Sequence, residues 1–194
     1  RRITACKKWF FDFRSNSSPE IPSTGFLARQ ASAWMPWSNC GSNGLPPILM
    51  LSKDFREFIG LLNSHGVEYL VVGGYAVAMH GRPRHTGDLD VWVRRSPENA
   101  VKLTAVLREF GFGALGLEEA DFLKGGQVVQ LGYPPFRIDL LTDIDGVEFG
   151  AAWSGRESFT YDGLTLNVIG LGDLKKNKQA TGRPRDLDDL ENLP

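Results

Sequence analysis

Cysteine is nearly absent: Cys6 and Cys40 are the only two in 194 residues. A disulfide-held scaffold is thereby excluded, and a reducing, cytoplasmic setting is the expectation. Long apolar runs are missing too. No window approaches the ~18 uninterrupted apolar residues of a membrane-spanning helix, so no membrane association is expected. Neither sign of charge prevails, since 22 basic against 23 acidic residues leave a net charge of −1. A chain so balanced does not hold nucleic acid by bulk charge, and any anion must be met by a local cluster. No glycine-rich loop runs into Gly-Lys-Ser or Gly-Lys-Thr, which excludes a Walker-type phosphate loop. His80 and His85 lack a third ligand at metal spacing, which speaks against zinc. What is present, 42% hydrophobic and 23% charged residues, is the composition of an ordinary folded domain.

The average conceals a division. Residues 1–49 hold six basic and two acidic residues, a net of +4, which leaves −5 for the remaining 145. Both cysteines, three of the five tryptophans and seven serines fall in this part, with no sustained period of 2 or 3.6. A signal-peptide core is missing, because Trp9-Phe10-Phe11 is cut at once by Asp12. Gly41, Gly44, Pro46 and Pro47 mark a break. The chain does not begin with Met, and Met50 stands just before the first well-formed helix pattern. Residues 1–49 are therefore expected to be a disordered or non-native extension, and residues 50–194 the functional domain.

From Met50 onward the patterning is orderly. Ser52 is placed to cap a helix whose apolar positions Phe55, Phe58, Ile59 and Leu62 share one face, with Gly66 as its stop. Tyr69-Leu70-Val71-Val72 reads as a buried strand and Tyr75 to His80 as a short helix. Leu89, Val91 and Val93 alternate with Asp88, Asp90 and Trp92 at strand period. Ser96-Pro97-Glu98 is a helix start, followed by a core face of Val101, Leu103, Val106, Leu107 and Phe110. Two strands are expected near 127–131 and 136–141, then a helical turn over 149–153. A hairpin turning at Asp162-Gly163 and two short helices over 171–180 and 185–192 complete the reading. This order predicts an α/β (α+β) class, a mixed β-sheet flanked by helices.

The chemistry concentrates in Gly73-Gly74, thirteen further residues, then Asp88-Leu89-Asp90. On a strand, Asp88 and Asp90 leave the same face with Cα atoms roughly 6–7 Å apart. Two ionised carboxylates so close repel each other, and a divalent cation removes that repulsion. Hard oxygen ligands without nearby cysteine suit Mg²⁺ or Mn²⁺. Adjacent glycines permit close backbone approach to a phosphate. Asp139, in Arg137-Ile138-Asp139-Leu140-Leu141, is a third carboxylate on a strand pattern, sharing its face with Arg137 and Leu141. If the two strands are neighbours, three carboxylates converge, as two metal ions across a phosphoryl displacement require. Taken alone, an Asp-x-Asp pair is more often a solvated strand edge. Asp143-Ile144-Asp145-Gly146 reads as a turn rather than a second acid site. Gly111-Phe112-Gly113-Ala114-Leu115-Gly116 has dinucleotide-fingerprint spacing but follows a helix, so Gly111 reads as a helix stop and the rest as loop.

Gly73-Gly74, Asp88-Leu89-Asp90 and Asp139, in this order, resemble the signature of the DNA polymerase β-like nucleotidyltransferase superfamily. The stretch from Gly73 to Asp90, with Arg82-Pro83-Arg84-His85-Thr86-Gly87, is similar to small bacterial members of the toxin–antitoxin and abortive-infection type. So is the end, from Asn177-Lys178 through Arg183-Pro184-Arg185-Asp186-Leu187-Asp188-Asp189. The resemblance spans most of residues 50–194 and implies the nucleotidyltransferase fold. It implies transfer of NMP from an NTP to an acceptor hydroxyl with release of pyrophosphate. Asp88, Asp90 and Asp139 would be the catalytic, Mg²⁺- or Mn²⁺-binding carboxylates. Gly73, Gly74, Thr86 and Lys178 would bind the nucleotide, and Arg82 and Arg84 would meet phosphate or acceptor. The implied acceptors are tRNA, a protein hydroxyl or a small molecule, and the implied partner is a cognate toxin or antitoxin. The rival expectation is a non-catalytic nucleotide- or partner-binding, antitoxin-like module.

Overall fold

The computed structural model describes residues 51–82, 84–133 and 136–194. The expectation for residues 1–49 lies outside them. Helix α1 (Lys53–Ser64) starts where Ser52 Oγ accepts from the Phe55 N–H at 3.2 Å, and it buries Phe55, Phe58, Ile59 and Leu62. Strand β1 (Tyr69–Val71) is fully buried and runs into α2 (Gly73–Met79). Strand β2 (Asp88–Val93) leads to α3 (Pro97–Leu107), capped by Ser96 with Pro97 in its first turn. Gly111, at φ +99°, breaks the helical path, and irregular turns carry the chain to Leu115. The short α4 (Glu119–Leu123) follows, in a stretch to which the sequence pattern assigns no element.

Strands β3 (Val128–Tyr133) and β4 (Phe136–Leu141) pair antiparallel, and α5 (Phe149–Ser154) comes next. Strands β5 (Glu157–Tyr161) and β6 (Leu164–Val168) form the hairpin expected at Asp162-Gly163. Helices α6 (Leu171–Thr181) and α7 (Pro184–Asn192) end the chain.

The six strands form one mixed sheet in the order β3-β4-β2-β1-β6-β5. Strands β2 and β4 are parallel neighbours at its centre, as are β1 and β6, and the other pairs are antiparallel. The core joins α1 and α3 to the inward residues Leu89, Val91, Ile138 and Leu140, all buried. Because side chains alternate along a strand, burying those four sends Asp88, Asp90, Arg137 and Asp139 to the opposite face. Among the described residues, no helix is long and apolar enough to cross a membrane.

Candidate active site

The parallel register sets Asp88 beside Arg137 and Asp90 beside Asp139. A slip of one residue would turn Asp139 into the core, so the hydrophobic pattern of β4 also fixes the site. One oxygen from each of Asp88, Asp90 and Asp139 lies within 4.8 Å of the others. Asp139 is buried and the other two are half-buried. The three carboxylates line a cleft of about 460 Å³ together with Gly73, Gly74, Thr86 and Lys178. The expected carboxylates, glycines, Thr86, Lys178 and Arg84 therefore reach one cleft, and Arg82 does not.

The two glycines are demanded by side chains rather than by the turn alone. Gly73 has φ +60°, and a β-carbon there would fall 1.9 Å from Asp90 Oδ2. A β-carbon on Gly74 would fall 2.7 Å from Thr86 Oγ1. Asp90 thus lies against the backbone turn, and its carboxylate accepts the Gly74 N–H. Thr86 in turn donates to Asp88 Oδ1 at 2.6 Å, which fixes the first carboxylate at the start of the strand.

Electrostatically the site is short of positive charge. Burial pushes the Asp90 carboxyl up to about 7, and the charges of Asp88 and Asp139 push the same way. The Gly74 N–H and the Lys178 ammonium only partly oppose them. Arg137 supplies the nearest counter-charge. Its Nε donates to Asp139 Oδ1 at 2.6 Å and its Nη2 to Asp139 Oδ2 at 2.8 Å and Asp88 Oδ2 at 3.2 Å. Those bonds, the one to Asp139 first, raise the affinity of the guanidinium for its proton. Three carboxylates against one guanidinium leave a formal deficit that one divalent cation would cancel. The donors are hard oxygens with no cysteine among them, the set that suits a small hard divalent cation. The residues present therefore fit Mg²⁺ or Mn²⁺ held by Asp88, Asp90 and Asp139.

Lys178 also lines the cleft and is buried. Its Nζ lies 2.5 Å from Asp186 Oδ1 and 2.9 Å from Asp189 Oδ2, so its charge is fixed by two carboxylates of α7. Arg82 and Arg84 are likewise bound to α7, through Asp188 and Asp189. Arg84, Arg183 and Arg185 line the cleft, whereas Arg82 does not. The sequence reading gave no role to Arg137, although its position two residues before Asp139 on the same strand face was the available signal. It also passed over Asn177, whose Nδ2 donates to the Asp145 carbonyl at 2.9 Å and holds that turn at the cleft. His80, by contrast, is buried with Nε2 2.7 Å from the Ile169 carbonyl, a structural contact.

No protein-family model matches the sequence, and no curated protein matches it. Among solved structures, the chain is similar to TM1012 of Thermotoga maritima, described as a putative nucleotidyltransferase. The TM-score is 0.50 at 17% identity, over 70% of this chain and 87% of that one. At that identity the likeness establishes a shared fold, the mixed six-stranded sheet with helices on its faces.

Proposed function

We propose that the protein is a nucleotidyltransferase that moves NMP from an NTP to an acceptor hydroxyl. The observation that carries the reading is the parallel β2–β4 register, which brings Asp88, Asp90 and Asp139 together in a cleft. The fold shared with TM1012 supports the same class. Asp88, Asp90 and Asp139 would hold Mg²⁺ or Mn²⁺, which when bound neutralises phosphate charge and favours loss of the acceptor proton. Lys178, fixed by Asp186 and Asp189, and Arg84 offer positive charge to the phosphate chain, and Thr86 holds Asp88 in place. The acceptor oxygen bonds to the α-phosphorus, the α–β phosphoanhydride bond breaks, and pyrophosphate leaves with its electron pair. Asp139 is placed to accept the hydroxyl proton on a lone pair that Arg137 leaves free, since that guanidinium takes one on each oxygen. The choice among tRNA, protein and small-molecule acceptors, and a pairing with a toxin or antitoxin, are carried by the sequence resemblance alone, and a cytoplasmic setting by the scarcity of cysteine.

Arg137 also favours a second reading, a nucleotide-binding module without turnover, because an internal cation already bridges Asp88 and Asp139. One assay separates the two. The full chain is incubated with Mg²⁺, each of four α-³²P-labelled NTPs and a cell extract as acceptor pool, beside Asp88→Asn/Asp90→Asn. Label in a macromolecule, or pyrophosphate release, with the native chain and at least a hundredfold less with the variant is expected. Nucleotide binding with neither product would establish the second reading.

A further inference from the structure

Helix α7 buries an unusual group behind the cleft residues Arg84 and Lys178. Asp189 is 1% exposed, yet three cations from two distant segments share its carboxylate. Arg82 Nη1 lies 3.1 Å from Oδ1, Arg84 Nη2 donates to Oδ2 at 3.2 Å, and Lys178 Nζ lies 2.9 Å from Oδ2. Arg84 Nε, 3.1 Å from Oδ1, is buried without a hydrogen bond of its own, so only the shared carboxylate compensates its desolvation. Two of these cations, Arg84 and Lys178, line the cleft that holds the three carboxylates. Lys178 is near enough to Asp90 to favour its ionised form. Its ammonium thus faces the proposed metal site from a position that its own flexible stem could not maintain.

We propose that Asp189 is a positioning residue: it locks Lys178 and Arg84 into one wall of the cleft and so sets the affinity for the phosphate chain of the nucleotide. The proposal rests on the nucleotidyltransferase reading. It makes a prediction of sign that simple charge does not. By Coulomb's law alone, removing an anion beside two cations strengthens their attraction for phosphate. If Asp189 acts by position, its removal lets both side chains disperse, and binding weakens although the wall has become more positive.

The test measures binding of Mg²⁺-tripolyphosphate and of four α,β-methylene nucleoside triphosphates to the full chain, by calorimetry. Asp189→Asn removes the charge. Asp189→Glu keeps it but displaces the carboxylate by one methylene, and it carries the test if the first variant does not fold. Glu191→Gln makes the same charge change at an exposed position of the same helix. Both Asp189 variants are expected to lose about tenfold or more in affinity, as outer-shell partners of a site commonly do. Glu191→Gln should stay within about twofold of the native chain. Mn²⁺ affinity without phosphate should change far less than phosphate affinity, because the three carboxylates are untouched and only the distant charge of Lys178 on Asp90 alters. Tighter binding by Asp189→Asn, or native affinity in Asp189→Glu, overturns the proposal. A native chain that binds none of the five ligands overturns the nucleotidyltransferase reading and this proposal with it, and that outcome is recognised from the native arm alone.

Discussion

Asp90 rests its carboxylate on the Gly73-Gly74 turn, trading most of its hydration for one backbone N–H and two like-charged neighbours. Burial first, then Asp88 and Asp139, bring its pKa to about 7 from an unfolded value of 3.8. The folded state therefore holds this proton where the unfolded chain has lost it, and the slope of stability against pH is negative between the two values. Stability from this group is fully present below pH about 4 and is lost as pH rises through about 7, on the order of 2–4 kcal/mol. Asp90→Asn removes that penalty, since an amide oxygen can still accept the Gly74 N–H. In metal-free buffer at pH 8 the variant is expected to melt several degrees above the native chain, and at pH 4 the two should coincide. Mg²⁺ should raise the native melting temperature and leave the variant unmoved, while transfer is abolished. A variant less stable than the native chain at pH 8 would contradict this account of the site.

At the level of elements, the link between β1 and β2 depends on a residue outside the cleft. Asn99 is 3% exposed in the first turn of α3. Its Nδ2 donates to the Glu68 and Arg94 carbonyls, each at 3.0 Å, and its Oδ1 accepts the Glu68 N–H at 2.8 Å. One amide thus ties the entry of β1 to the exit of β2, the strand that carries Asp88 and Asp90. Asn99→Ala leaves three backbone groups without these partners and should cost about 2–4 kcal/mol. Urea denaturation should show a lower midpoint at unchanged slope, and a loss below about 1 kcal/mol would mean that water replaces the amide. The elements themselves were legible where local chemistry decides them: the Ser52 and Ser96 caps, the alternation of β2, and the hairpin at Asp162-Gly163 all stand where the pattern puts them. Helix α4 was not, because its five residues bury only Phe122 and show no period. Nor was the parallel pairing of β2 with β4, since strand adjacency is set by packing of distant segments. The convergence of Asp139 on Asp90 could be written only as a condition on that pairing.

Across the whole molecule, a net charge of −1 hides a cleft lined by both signs of charge, and two of its cations, Arg84 and Lys178, are held by carboxylates of α7. No local pattern could reveal this, because Arg84 and Asp189 are 105 residues apart in sequence. Lys178 shows how far function and stability are joined there. Burial opposes the charge of Asp186, but hydrogen bonds from Lys178 and Thr181 and the charges of Lys178 and Arg183 outweigh it and lower its pKa. Such a carboxylate contributes stability above its unfolded pKa and loses it as pH falls through the lower folded value. Lys178→Met removes the main partner of Asp186 and one of the three cations on Asp189, leaving buried negative charge uncompensated. Breaking a buried pair in this way costs about 3–5 kcal/mol, and Arg82 and Arg84 on Asp189 place this case at the lower end. The loss should be largest near neutral pH and shrink below pH about 4, where protonation of Asp186 removes the unpaired charge. Denaturation curves for the native chain and Lys178→Met at pH 7 and pH 3 check this directly. A stability difference that is the same at both pH values would mean that the lysine stem holds α6 and α7 together by packing, and that its charge does not.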